Sequence, residues 1–198
     1  MDHDQGSHGT GTGISNNKLL MWVFLGSECL LFGGLISAYL INRGRFHTGP
    51  APGDIFDIPF TSVSSFVLLM SSLTMVLALS ALQRGDIRNN RIWLLTTALL
   101  GSLFIGGQVY EFTSFLREGL GYTTSPFSSA FFTLTGFHGI HVSVGIVMLM
   151  SLVISSYRGT LTKKNSETVE IVGLYWHFVD VVWIFIFTVI YLVPSPTS

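Results

Sequence analysis

Charge is what this chain has least of. Asp, Glu, Lys and Arg make up 11% of its 198 residues, against roughly 25% in ordinary globular domains. There is one cysteine, Cys29. That excludes an internal disulfide, a CxxC redox pair, a cysteine-rich zinc motif and a c-type haem attachment site. The six prolines all lie outside the long apolar stretches or at their ends. Net charge is −1, so no basic surface invites nucleic acid.

What is present in quantity is apolar sequence, in five separated runs. They cover residues 19–41, 60–82, 92–116, 127–154 and 171–193. Each is long enough to cross a bilayer as a helix, which takes roughly 20 apolar residues. Only Glu28, Glu111 and Asp180, of all the Asp, Glu, Lys and Arg residues, fall inside them. A soluble bundle would show a charged face at helical period on each helix. These runs show none, so their outer surfaces face lipid. The expected fold is all-α: a single five-helix membrane domain over residues 18–198, preceded by a polar, Gly-rich tail over 1–17. The tail has the composition of a disordered segment, and His3 and His8 within it read as solvated residues. The first run is too long for a signal-peptide core, carries Glu28 and lacks a small-residue cleavage site, so it is expected to be retained.

Orientation follows from the basic residues of the connections. Lys18, Arg84, Arg88, Arg91, Arg158, Lys163 and Lys164 lie on one side, and Arg43, Arg45 and Arg117 on the other. The excess places the N-terminus in the cytoplasm and, after five crossings, the C-terminus outside. The first connection, residues 42–59, holds Pro50, Pro52, Gly53 and Pro59 and reads as an extended surface loop. Trp22 and Trp93, near helix ends, suit the interfacial aromatic belt.

Small residues recur at packing intervals: Gly33, Gly34, Ser37 and Ala38 on the first helix, Ser102 and Gly106 on the third, Gly136, Gly139, Ser143 and Gly145 on the fourth. They permit close helix–helix approach within the bundle or against another subunit. Cys29 reads as a small packing residue.

Chemistry, if any, rests with six ionisable groups inside the membrane: Glu28, Glu111, His138, His141, His177 and Asp180. A charge at bilayer depth costs at least about 2.5–3.5 kcal/mol on insertion scales. Such groups must therefore face the interior of an assembly, be hydrogen-bonded or be neutral. Glu111, nearer a helix end, is as readily an interfacial residue. His138 and His141 lie three apart on one helical face, and His177 and Asp180 repeat the interval. Neither matches the His-x-x-x-His pitch of zinc proteases or the Glu-x-x-His pairs of di-iron bundles. Hydrogen bonding across helices, or contact with lipid headgroups, is favoured over metal ligation. A proton relay in a stand-alone channel or transporter is the competing class, although no internal repeat and no broken helix supports it.

Four segments carry a family resemblance. They are WVFLGSECLLFGGLISAYL in the first helix, GGQVYEF closing the third, GFHGIHVSVG (136–145) in the fourth and YWHFVDVVWIFIF (175–187) in the fifth. Together, in this order, they resemble subunit III of the haem–copper respiratory oxidases over about residues 21–191. The resemblance implies an all-helical, multi-pass subunit of a bacterial plasma membrane, of the shorter five-helix form; two further helices precede the matched region in seven-helix members. It implies docking on subunit I, which holds the haems and copper, alongside subunit II and phospholipids, with no redox centre in this chain. The holoenzyme would be a cytochrome c or quinol:O2 oxidoreductase that reduces O2 to water and pumps protons. Glu28 falls on the family's buried, carbodiimide-reactive carboxyl and His138 and His141 on its fourth-helix pair. Trp176, His177, Asp180 and Trp183 fall on the last-helix signature, and Glu111 on the acid of a GQxxEY-like motif. None is a metal ligand or catalytic group there. The implied roles are structural hydrogen bonding, lipid contact and indirect support of proton or oxygen delivery.

Overall fold

The computed structural model describes residues 15–43, 58–162 and 165–193. Within them lie five long helices: α1 (Asn16–Asn42), α2 (Ile58–Gln83), α3 (Ile87–Arg117), α4 (Pro126–Tyr157) and α5 (Ser166–Phe187), the last continued by a π-helical turn, Thr188–Leu192. No strand occurs among the described residues. All five helices are long and apolar enough to span a membrane, as the runs predict. Most of the polar tail and of the first connection lies outside the described residues.

The helices extend past the apolar runs because polar residues cap them. The Ser15 hydroxyl accepts from the Lys18 amide at 3.4 Å, and Asp86 accepts from the Asn89 amide at 3.1 Å. Ser125 and Ser128 exchange backbone and side-chain bonds in a capping box, with Pro126 opening α4. These contacts satisfy amides that have no intrahelical partner. Pro59, expected to stop a helix, sits instead in the first turn of α2. Its missing N–H costs nothing there, because that turn has no acceptor to offer. Gly85, Gly119 and Gly159 leave α2, α3 and α4 with φ of +84°, +90° and +73°, a left-handed step that glycine takes without a Cβ clash.

α2 and α3 pack most extensively, α5 lies against α2 and α4, and α1 packs mainly on α4 and α5. Only Leu25, Phe32 and Tyr39 of α1 are buried. Their interval of seven defines a narrow seam, flanked by the partly buried Met21, Glu28, Leu35 and Ile36, and most of the remaining surface of α1 faces outward. Cys29 is on that outer surface, not in the packing position expected for it. Gly33, Gly34 and Gly106 likewise meet nothing within 4 Å of an added Cβ, so these small residues make no close helix contact within the chain.

The small residues that do set interhelical distance are Gly101 on α3 and Gly145 on α4. An added Cβ would lie 2.6 Å from the Trp176 ring at Gly101 and 2.7 Å from it at Gly145. The indole of α5 is thus gripped by two glycines on different helices, with no exposed surface. Polar bonds fasten the same interior. The Trp176 indole N–H donates to Ser71 at 2.9 Å and that of Trp183 donates to Ser65 at 2.8 Å. Thr74 and Thr97 bond across α2 and α3 at 2.8 Å, and the buried Asn90 amide donates to the Ala78 carbonyl at 2.8 Å. Ser71→Ala, or Ser65→Ala, is expected to destabilise the bundle by about 1 kcal/mol by stranding a buried indole N–H. A thermal scan monitored by tryptophan fluorescence checks this, with Ser62→Ala, at an exposed position, as the control.

Candidate functional site

The intramembrane ionisable groups do not converge. Five of them occupy three separate places, each made by a different pair of helices, and His138 stands apart among the rings of the core.

The first joins α1 to α4. His141 Nε2 lies 3.1 Å from Glu28 Oε2, and both side chains are largely covered. His141 Nδ1 lies 2.7 Å from the Phe137 carbonyl oxygen. A carbonyl only accepts, so Nδ1 carries a hydrogen. Nε2 therefore either accepts from a protonated Glu28 or, as imidazolium, donates to its carboxylate. In either arrangement the pair holds one shared proton and has no net charge, which is what makes it tolerable at bilayer depth. Tyr175 on α5 donates its hydroxyl to the His141 carbonyl at 2.9 Å, and the Phe32 ring stands edge-on to the imidazole at 5.1 Å. A cavity of about 250 Å³, lined by Met21, Phe24, Val144 and Tyr175 among others, adjoins His141.

The second place lies between α2 and α5. Ser72 Oγ and His177 Nδ1 are 2.5 Å apart. Asp180, one turn further along α5, is 3% exposed, and neither of its oxygens has a hydrogen-bond partner among the described residues. His138 is also fully buried, although it lies on α4. Its ring stacks on Trp183 at 4.8 Å and meets the edge of Phe104 at 5.9 Å. Neither ring nitrogen has a partner among the described residues. The three-residue interval thus separates two environments: His138 turns into the aromatic core, and His141 turns to the seam with α1.

The third place is at the opposite end from Lys18. Glu111 is 6% exposed, turned into the bundle where it accepts from the Thr61 hydroxyl. Near the end of its helix, it is covered by protein rather than open at the surface. Arg43, expected in a surface loop, is also buried and donates to the Val193 carbonyl. This ties the end of α1 to the turn after α5.

Among the described residues no three His, Cys, Asp or Glu side chains are grouped so as to hold a metal ion. His138 itself is enclosed by the rings of Phe104 and Trp183 and has no exposed surface.

The partners that sequence reasoning missed are mainly hydroxyls: Thr61, Ser65, Ser71 and Ser72 of α2, together with Tyr175. α2 carries hydroxyls at 61, 62, 64, 65, 71, 72, 74 and 80, so their spacing does not single these out. The number of hydroxyls in an apolar helix was the available signal, without saying which of them reach another helix.

Comparison with known proteins gives these positions their context. The family described as cytochrome c oxidase subunit III matches residues 4–195. The chain belongs to that family. It is 41% identical over 177 residues to cytochrome c oxidase subunit 3 of Bacillus sp. (strain PS3), covering 89% of this chain and 86% of the relative. It is 40% identical over 176 residues to quinol oxidase subunit 3 of Bacillus subtilis, with the same coverage of each. It is 38% identical over 194 residues to cytochrome bo(3) ubiquinol oxidase subunit 3 of Pseudomonas aeruginosa, covering 98% and 91%. The resemblance drawn from the four sequence segments is thereby established over nearly the whole chain. Relatives named for cytochrome c and for quinol stand at similar identity, so this family sequence follows the subunit and not the electron donor.

Proposed function

We propose that this chain is the non-catalytic third subunit of a haem–copper terminal oxidase in a bacterial plasma membrane. In this reading it packs against the catalytic subunit I, which carries the haems and copper, and lies in one complex with subunit II. It lengthens the working life of the enzyme by holding subunit I and by supporting proton or oxygen delivery. The basic end of the bundle, with Lys18, Arg84, Arg88 and Arg158, faces the cytoplasm, and the C-terminus lies outside. Family membership supports the assembly. The observation that supports this role is the Glu28–His141 pair, whose side chains meet at 3.1 Å inside the hydrocarbon. Phospholipid belongs to the same picture. A groove of about 500 Å³ between α3 and α4, lined by Ile105, Val109, Phe112, Ile140, Val144 and Met148 among others, suits an acyl chain. Nothing supports a stand-alone channel, since each relative compared is named as subunit 3 of an oxidase.

The test is co-purification. A tagged chain extracted in mild detergent is expected to migrate on a native gel with haem absorbance and O2-consuming activity. Migration without haem or oxidase activity would overturn the assignment.

A further inference from the structure

Glu170, Gly173, His177 and Asp180 follow one another on α5 at intervals of three, four and three, and so share one face. At its outer end Glu170 pairs with Lys18 of α1 at 2.9 Å, both side chains partly exposed. Behind Glu170 lies a cavity of about 200 Å³ between α2 and α5, bounded by Met75, Val76, Leu79, Glu170, Gly173 and His177 among others. It exists because residue 173 is glycine; an added Cβ would approach the Met75 methyl to 3.3 Å. At the inner end His177 meets Ser72, and beyond it is Asp180, whose two oxygens have no partner. The Ser72 hydroxyl stands near the Asp180 carboxyl, although no direct hydrogen bond joins them. From Glu170 to Asp180 is about 15 Å along the helix, half the hydrocarbon thickness.

We infer that Asp180, with His177 and Ser72, is a second protonatable site of this subunit, loaded with a proton from the Glu170 end of the bundle. A buried carboxyl group with nothing bonded to it is satisfied by ordered water, and one water between Ser72 and Asp180 closes the gap. The transfer balances with one proton. Water in the cavity gives a proton to His177 Nε2, and His177 releases its Nδ1 proton to Ser72 Oγ. The serine hydrogen then passes, through the bridging water, to the Asp180 carboxylate. The serine ends as it began, while the histidine ends as its Nε2–H tautomer and regains the starting one by exchange with cavity water when its ring turns. The hydroxide left in the cavity is re-protonated from the entry side, so one carboxylate has become a carboxylic acid and one proton has left that side.

The surroundings leave Asp180 no alternative counter-charge. α2 carries no titratable side chain. In the membrane α4 offers His138 and His141, α1 offers Glu28 with Lys18 at its mouth, and α3 offers Tyr110 and Glu111 near its far end. None forms an ion pair with Asp180 among the described residues; Glu28 and His141 are committed to each other. The inference rests on the proposed function only for the side from which the proton comes, and its readout is separate from turnover.

The experiment is infrared spectroscopy of the full chain in the complex with which it purifies. A buried carboxylic-acid C=O band is expected that is lost in Asp180→Asn, moves in Asp180→Glu and persists in Glu28→Gln. In D2O its exchange should be about tenfold slower in Gly173→Val, whose side chain fills the cavity, a modest rise in the barrier to entry. A band indifferent to the Asp180 variants, or no such band at all, would refute the site. Exchange at the wild-type rate in Gly173→Val would refute the route. If Asp180→Asn does not assemble, Asp180→Glu and Gly173→Val decide the matter.

Discussion

Gly145→Ala is expected to cost the bundle about 1–3 kcal/mol, the usual penalty for one methyl group forced into a filled core. The added Cβ would stand 2.7 Å from two atoms of the Trp176 ring, and an indole has no flexible end that can swing aside. Gly101→Ala should act alike from the opposite side, at 2.6 and 2.9 Å. The two glycines press on one ring, so their effects should not add: once the ring has shifted for the first methyl group, the second meets a different geometry. Trp176→Phe should recover part of the loss in either alanine variant, although alone it destabilises by removing ring area and the bond to Ser71. Thermal scans of these single and double variants beside the wild type, in one detergent, test this. Gly33→Ala and Gly34→Ala serve as controls, because neither position meets anything within 4 Å. Equal melting of Gly145→Ala and Gly34→Ala would show that Trp176 does not hold α4 and α5 at this distance.

The second large effect is functional and belongs to Glu28. Glu28→Ala leaves His141 Nε2 without its partner beneath an apolar surface, a loss of about 1–3 kcal/mol. Glu28→Gln separates the two roles of the side chain. Its amide donates to neutral Nε2, so the seam between α1 and α4 is kept, but the shared proton has gone. Assembly and haem spectra of the oxidase should therefore be normal in Glu28→Gln and impaired in Glu28→Ala. Initial turnover should be close to wild type in Glu28→Gln, and the number of turnovers before inactivation should fall several-fold. Carbodiimide labelling at this position should disappear in both. Normal endurance of Glu28→Gln would reduce the pair to a packing bond between α1 and α4.

The crossings were legible because burial of charge in hydrocarbon is so costly that sequence alone must avoid it. Helix ends were less so, since Ser15 and Asp86 extend helices by capping and a proline in the first turn of α2 does no harm. Which small residues matter was not legible. Gly34 and Gly145 look equivalent in the sequence, and only the position of Trp176 distinguishes them. The ionisable residues were found by type, but their environments were not. His138 and His141 share a helical face yet lie in an aromatic core and at a helix seam. Glu111 turned inward because Thr61, fifty residues earlier, supplies a hydroxyl. The serines of α2 escaped notice for a related reason: in apolar helices such hydroxyls commonly bond their own backbone, as Ser62 and Ser151 do here. Nothing local marks Ser65, Ser71 and Ser72 as partners of Trp183, Trp176 and His177.

The central claim is that the buried polar groups of this subunit hold helices and protons, and that none holds an electron. Removing the chain from the purified oxidase, then measuring haem, copper and turnover in what is left, tests it most directly. The account predicts unchanged haem and copper per catalytic subunit, a near-normal initial rate and early inactivation, with the released chain colourless. Haem or copper leaving together with the released chain would contradict it.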